Sequence, residues 1–343
     1  MTIDALPTAA AAGFHMPAEW ERHERCWMAW PTRPEVWGDD LPATQQAYAN
    51  VANTIGEFEP VTMLVQPQDT DDARRLCGDK VDILIADLDD SWTRDMGPNF
   101  VVNVTGELAA SIFQFNAWGK KYEPWRKDAA IGHRIAEYLG VRTFSAPIFM
   151  EGGGINVDGE GTLLTSEQCV LHDNRNPGLT KEEAAQVFCD SLGVKKVLWV
   201  PGDPEDTETD GHIDGLACFV EAGKVLVETC PAKGTERYDN LQKNLDALRG
   251  ETDANGRELE VVIIEEAHEA DRTNEIFCSS YINFYVANGG IVMPCFGIDR
   301  DEDARQNIAA LFPDREVVQL NIDAIAIGGG GIHCITQQQP LRT

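Results

Sequence analysis

Apolar residues along this chain repeat with two different periods, and the two alternate from one end to the other. Five stretches carry them at helical spacing: 44–58, 129–139, 181–192, 237–248 and 301–312. In the first, Tyr48, Val51, Ala52 and Ile55 fall on one helix face. Gly140, Gly193 and Gly250 follow three of these stretches, and glycine most easily takes the left-handed backbone that ends a helix. Between the helices, short β-branched runs predict strands at 26–30, 61–65, 81–86, 162–165, 196–200, 217–220, 224–227, 260–264, 291–293 and 317–320. The runs 100–104 and 108–115 flank Thr105-Gly106 and read as a hairpin. The fold class is α/β. Five helices, each set among short strands, imply five strand–strand–helix–strand units instead of one long parallel sheet. No Pro/Ser linker or charge run divides the chain, so we expect a loose tail at 1–16 and a single domain over 17–343.

Composition narrows the function. At 343 residues with 43% hydrophobic and 8% aromatic content, the chain has the makeup of a packed protein. Its 28 basic and 57 acidic residues leave a net charge of −29. That field repels nucleic acid and attracts a small cation, although it also serves solubility. The first residues lack the basic and apolar regions of a secretory signal, and no window has the apolar length of a membrane span. The nine cysteines form no Cys-x-x-Cys pair, and most stand in apolar settings such as Leu216-Ala217-Cys218-Phe219. We expect a reduced, cytoplasmic protein without nucleic-acid or membrane partners.

Several segments carry chemistry. Gly328-Gly329-Gly330-Gly331-Ile332-His333-Cys334 places a thiol after a glycine hinge, between isoleucines that anchor it. That suits a positioned nucleophile, or a glycine linker with a structural cysteine. Trp92-Thr93-Arg94-Asp95-Met96-Gly97-Pro98 puts charge and a bulky ring on a loop at a strand end. Met150-Glu151-Gly152-Gly153-Gly154 is a glycine loop led by a carboxylate, without the spacing of a phosphate cradle. In Gly211-His212-Ile213-Asp214-Gly215, a strand beginning there would turn His212 and Asp214 to one face and Ile213 to the core. An imidazole beside a carboxylate is an acid/base pair. A zinc site would need about three ligands, which the other histidines do not obviously supply. In an extended segment His333 would point away from Cys334, which leaves His212 as the candidate base. Ser279 to Tyr285 alternates polar with aromatic residues, as a half-buried strand does.

Taken in order, Trp-x-Arg-Asp-x-Gly-Pro, Glu-Gly-Gly, Gly-His-x-Asp, Ser-Tyr-x-Asn-Phe-Tyr and Gly-Gly-Gly-x-Ile-His-Cys-x-Thr resemble the agmatine deiminase / bacterial-type peptidylarginine deiminase family. Trp118 in Phe115-Asn116-Ala117-Trp118-Gly119 and the run Asn174-Arg175-Asn176-Pro177 match as well. The resemblance spans 17–340. It implies the pentein fold, a five-bladed α/β propeller of ββαβ units with pseudo-five-fold symmetry, and frequent homodimers. It also implies Cys334 as the nucleophile on a guanidinium carbon, His212 as acid and base, and Asp95 and Asp214 as the carboxylates gripping the cation. Glu151, Asn283, Trp92, Trp118 and Gly331 would bind substrate. The substrate would be a small cationic guanidine and the product a ureido compound, with no metal or organic cofactor. Amidino transfer to an amine, or a guanidine-binding relative without activity, are the alternatives.

Four positions depart from the family pattern: Gly215 and Gly331 where Asn is usual, Met96 for a small hydroxyl residue, and Asn156 for histidine. They are expected around the pocket, where fewer hydrogen bonds and more room would bear on which guanidine fits. Arginines that would clamp a terminal carboxylate are not evident near 116–119, which disfavours a peptidylarginine substrate.

Overall fold

The computed structural model describes residues 7–270 and 274–342. The strands form five sheets, each built in the same way: an antiparallel pair, then a helix, then a strand parallel to the second of the pair. Asn99–Asn103 pairs with Leu108–Gln114, and Arg142–Phe149 follows the helix Ile131–Leu139. Asn156–Val157 and Thr162–Ser166 precede the helix Lys181–Leu192 and the strand Lys196–Val200. Ala217–Glu221 and Lys224–Thr229 precede Glu236–Leu248 and Glu260–Glu265. Tyr285–Ala287 and Gly290–Cys295 precede Arg300–Leu311 and Glu316–Asn321. The last sheet joins both chain ends. There Gln337–Pro340 pairs antiparallel with His23–Ala29, and Leu41–Ile55 leads to Val61–Val65, which pairs in turn with Val81–Ile85.

The five expected helices are all present, with ends moved by up to three residues. Local chemistry explains the best-placed one. Thr180 and Glu183 form a reciprocal capping box, and Gly193 turns left-handed at φ +68° to close the same helix. Two expected strands are not strands. Residues 279–284 form turns because the Glu228 carboxylate accepts from the Ser280 hydroxyl at 2.8 Å and the Tyr281 N–H at 3.0 Å, so only Tyr285–Ala287 joins a sheet. Residues 213–215 form a 3₁₀ turn. The expected tail is also partly tied down. Phe14–His15 pairs with Asn99–Asn103, and Ala9, Phe14 and Met16 are buried. Three apolar side chains at the end of a chain gain more from a core than from solvent. Among the described residues, no helix is long and apolar enough to cross a membrane.

Several buried acids hold protons tightly. Burial pushes Asp90 up to about 6 despite Arg33, Asp128 to about 7 and Glu228 to about 8, the last two also facing neighbouring carboxylates. Unfolded, such groups titrate near 4, so folding takes up protons between roughly pH 4 and 8. Stability therefore falls as pH rises through that window. His212 and His333 also sit above the ordinary histidine range, and their stabilising protonation is lost as pH rises further, in the same direction. Carboxyls held low, such as Glu19 at about 2, lose their contribution only in acid. The melting temperature is expected to be higher at pH 6 than at pH 9 at fixed ionic strength. A higher value at pH 9 would contradict these assignments.

Candidate active site

The segment just ahead of each antiparallel pair contributes one or more groups to a single site. Asp95 precedes Asn99–Asn103, Glu151 precedes Asn156–Val157, and His212 with Asp214 precedes Ala217–Glu221. Asn283 precedes Tyr285–Ala287, and Cys334 precedes Gln337–Pro340. The segments fasten to one another: the Arg94 amide donates to the Cys334 carbonyl at 3.1 Å, and the Asn283 side chain accepts from the His333 and Cys334 amides at 2.9 and 3.3 Å. His212 and Asp214 meet on a turn, not on one face of a strand, although Ile213 is buried as expected.

The side chains converge closely. Cys334 Sγ lies 3.4 Å from Asp214 Oδ2 and accepts from Asn283 Nδ2 at 3.2 Å. Asp95 accepts from the Gly153 amide on Oδ1 and from Trp118 Nε1 on Oδ2, both at 2.8 Å. His212 Nε2 faces Glu151 Oε2 at 3.3 Å. Its Nδ1, 3.8 Å from Asp95 Oδ1, is buried without a hydrogen-bond partner. A Cβ on Gly153 would stand 2.5 Å from His212 Nδ1, 2.8 Å from Asp95 Oδ1 and 3.0 Å from Asp214 Oδ2. Gly153 is thus packed directly against a ring nitrogen and two carboxylates from two other loops, with no room for a side chain. Carboxylates disposed in this way accept from a flat cation with N–H groups on its edges.

Two buried ionic chains hold these groups in place. Behind His212, Arg175 Nε donates to both Glu151 oxygens at 3.0 and 2.9 Å, and its other nitrogens reach Asp210 and the Thr209 carbonyl. Behind Asp214, His333 Nδ1 pairs with Oδ2 at 2.9 Å, and its Nε2 meets Glu19 at 3.0 Å. Arg94 then lies 3.6 Å from Glu19. Residues 332–335 are not an extended strand, and the His333 ring, expected to face away, turns to the same carboxylate that touches the thiol. Glu19 and Asp210 carried no signal in sequence, because each pairs with a residue far along the chain; Arg94 stood in the Trp-x-Arg-Asp-x-Gly-Pro motif, without a sign that it pairs with Glu19. Arg175 did, within Asn174-Arg175-Asn176-Pro177.

Replacing Arg175 by methionine leaves Glu151 buried without its cation, a change that costs about 3–5 kcal/mol when one partner of a buried pair is removed. Urea unfolding is expected to show that loss. Arg175→Lys, which keeps the charge without the planar fork, is expected to lose less.

Electrostatics set the resting state. Burial pushes the Cys334 thiol well above the ordinary cysteine range, and Asp214, Cys278 and Asp95 push it further. Burial alone would lower His212, but Asp95, Cys169 and Glu151 outweigh it, and the ring sits well above the usual histidine range. Burial would raise Asp214, yet hydrogen bonding and charge from His333, then His212 and Arg94, hold it low. Asp95 moves the other way: burial raises it beyond what His212 offsets, and Asp214 and Glu151 add to the rise. The unliganded site therefore holds a neutral thiol beside a protonated imidazole.

Cys334 stands where two cavities meet. A narrow cleft carries Trp92, Trp118, Tyr122, Asp95, Asp90 and Glu208; a wider one of about 140 Å³ carries His212, Asp214, Gly215 and Asn283. Trp118 reaches Asp95 through a strained turn, with φ of 54° at Ala117, 53° at Trp118 and 66° at Lys120. Left-handed backbone of this kind costs roughly 1–3 kcal/mol per non-glycine residue and concentrates at functional sites.

The remaining expected positions divide. Glu151 is fully buried against Arg175 and His212, so it holds the imidazole from behind. Gly331 lies against Asn283, where a Cβ would come within 2.5 Å of Oδ1, so its small size serves packing, not free room. Met96 sits in a core with Trp27, Leu64 and Phe100. Asn156 Oδ1 accepts the Phe219 amide at 2.7 Å across two sheets. Of the four departures, Gly215 is the one that borders the cavity.

Among the described residues, two sets of donor atoms lie mutually within 4.8 Å: Glu151, Cys169 and His212, and Cys230, Glu266 and His268. In both, an arginine already occupies the carboxylate, Arg175 on Glu151 and Arg237 on Glu266.

Comparison with known proteins decides the family. The model of the Porphyromonas-type peptidyl-arginine deiminases matches residues 15–340. The chain belongs to that family. A Legionella pneumophila protein provisionally named agmatine deiminase is 44% identical over 331 residues, 96% of this chain and 95% of the relative. The agmatine deiminase of Ectopseudomonas mendocina is 38% identical, with 97% of each chain covered. Among solved structures of the family, the agmatine deiminase of Enterococcus faecalis superposes with a TM-score of 0.93 at 35% identity. That alignment covers 99% of both chains.

Proposed function

We propose that the chain hydrolyses the guanidine of agmatine, or of a close alkylguanidine, to the ureido product N-carbamoylputrescine and ammonia. The observation that carries this reading is the convergence of His212, Asp214 and Asp95 on the two cavities that meet at Cys334. The five like-built sheets support a pentein propeller whose entry segments meet at its axis.

A guanidinium seated beside Cys334 between Asp95 and Asp214 neutralises the two carboxylates that, after burial, hold the thiol high, so the sulfur ionises once substrate is bound and its proton leaves to solvent. The thiolate attacks the central carbon and forms a C–S bond. The C–N bond to the departing nitrogen breaks, and protonated His212 supplies the proton that makes ammonia. The covalent S-alkylthiouronium on Cys334 is then attacked by water, whose proton His212 accepts. The C–S bond breaks, and the carbonyl of the urea is formed. Trp92 and Trp118 flank the alkyl stem.

The cleft beyond them carries Asp90 and Glu208 and neither lysine nor arginine, which favours a substrate ending in an amine over one ending in a carboxylate. All nine cysteines are free thiols, which supports a reducing, cytoplasmic setting. Agmatine, arginine, 4-guanidinobutyrate and an arginyl peptide, assayed for ureido product and ammonia, test the reading. Agmatine is expected to lead arginine in kcat/KM by about 10²-fold or more, the scale of an ionic contact made or left unpaired. No turnover of any guanidine would sink it.

A further inference from the structure

The nitrogen that leaves has more space around it than ammonia needs. His212, its proton donor in the reading above, borders the wider cavity and not the tryptophan-lined cleft, whereas Cys334 borders both. Departure is therefore directed into a space of about 140 Å³, against the roughly 30 Å³ that one water occupies in the liquid. Its corner beside Asp214 is open: a Cβ on Gly215 would meet nothing within 4 Å. Phe277 and Cys278 add apolar surface to the wall, and Glu208 adds a carboxylate. Apolar surface beside acidic groups suits an alkylammonium better than bare ammonium, because the methyl gains burial while the charge stays paired.

We propose that the chain also hydrolyses guanidines whose departing nitrogen bears a small alkyl group, releasing a primary alkylamine in place of ammonia. This rests on the guanidine-hydrolysing function above and extends its substrate class. The balance is unchanged. Cys334 bonds to the guanidinium carbon, the bond from that carbon to the alkylated nitrogen breaks, and His212 protonates the amine that departs. Water then displaces the sulfur, leaving the same ureido product.

Wild-type enzyme is incubated with agmatine and with agmatine methylated on one terminal guanidine nitrogen, and methylamine, ammonia and ureido product are quantified separately. Methylamine is expected, with kcat/KM within about tenfold of agmatine, since one misfitting methyl group costs that much or more in a closed site. Gly215→Leu, which fills the open corner on backbone that is not left-handed, is expected to lower the methylated-to-unmethylated ratio about tenfold or more. Gly215→Val is expected to fall between.

Turnover of agmatine without methylamine release overturns this proposal and leaves the deiminase function standing. Release of ammonia with a methylated urea also overturns it, because the methyl would then lie on the retained side. A ratio unmoved by either Gly215 variant overturns the assignment of the cavity. Failure with agmatine itself strikes the underlying function instead.

Discussion

Cys334→Ala removes turnover of agmatine, with kcat falling by about 10⁴-fold or more, the scale seen when a covalent nucleophile is deleted. Binding is expected to survive, because the proposed grip on the cation uses Asp95 and Asp214 and the flanking rings of Trp92 and Trp118, and the substitution removes only the 3.4 Å contact of the sulfur with Asp214. Removing the sulfur also removes a buried group that the carboxylates hold neutral, so the fold loses little. Acid-quenched wild-type enzyme is expected to carry an adduct of the mass of substrate less ammonia, and the variant none. The resting thiol gives a further check. Alkylation of Cys334 by iodoacetamide in the free enzyme should accelerate only as pH rises beyond about 9, above the ordinary cysteine range. Full activity in the alanine variant, or rapid alkylation at pH 7, would dismiss Cys334 as the nucleophile described.

Gly153→Ala is the second large effect, and it adds an atom where Cys334→Ala subtracts one. Its methyl would stand within 3.0 Å of His212 Nδ1, Asp95 Oδ1 and Asp214 Oδ2 at once, so all three must shift. It also presses on the amide that donates to Asp95. Reacting groups displaced by about 1 Å lose roughly 10²-fold in rate. The expected result is a fall of about 10²-fold or more in kcat/KM, with a folded enzyme by circular dichroism. Near-wild-type kcat/KM would mean that the reaction does not depend on these three groups. Gly331→Ala makes an instructive comparison. Its added carbon meets the Asn283 oxygen instead, so it disturbs the support of Cys334 and leaves His212, Asp95 and Asp214 in place.

Both experiments concern positions that sequence treats unequally. Cys334, His212, Asp95 and Asp214 announce themselves, because thiols, imidazoles and carboxylates beside glycine turns are chemically conspicuous and stand in ordered motifs. Gly153 is one of three consecutive glycines, and sequence cannot say which of them packs against the reactive side chains. The structure separates them: a Cβ on Gly152 would strike the Arg94 carbonyl, and one on Gly154 would strike Met150. Glu151 shows the converse. It leads a glycine loop and reads as a substrate ligand, yet Arg175, 24 residues on, draws it away from the cavity and against the imidazole. His333 misleads for a related reason: period-two reasoning assumes an extended chain, and residues 332–335 turn.

By itself the sequence determined the alternation of five helices with short strands, the family, and the candidate reactive groups, because periodicity and motif order are properties of neighbouring residues. What it left undetermined is how those groups meet: the chain Asp214–His333–Glu19–Arg94, the packing of Gly153 against His212, Asp95 and Asp214, and the open corner at Gly215. These depend on contacts such as that between His333 and Glu19, 314 residues apart. Only a folded chain brings such residues within hydrogen-bonding range, so only the tertiary structure decided which carboxylates border the cavities and which are tied to buried arginines behind them.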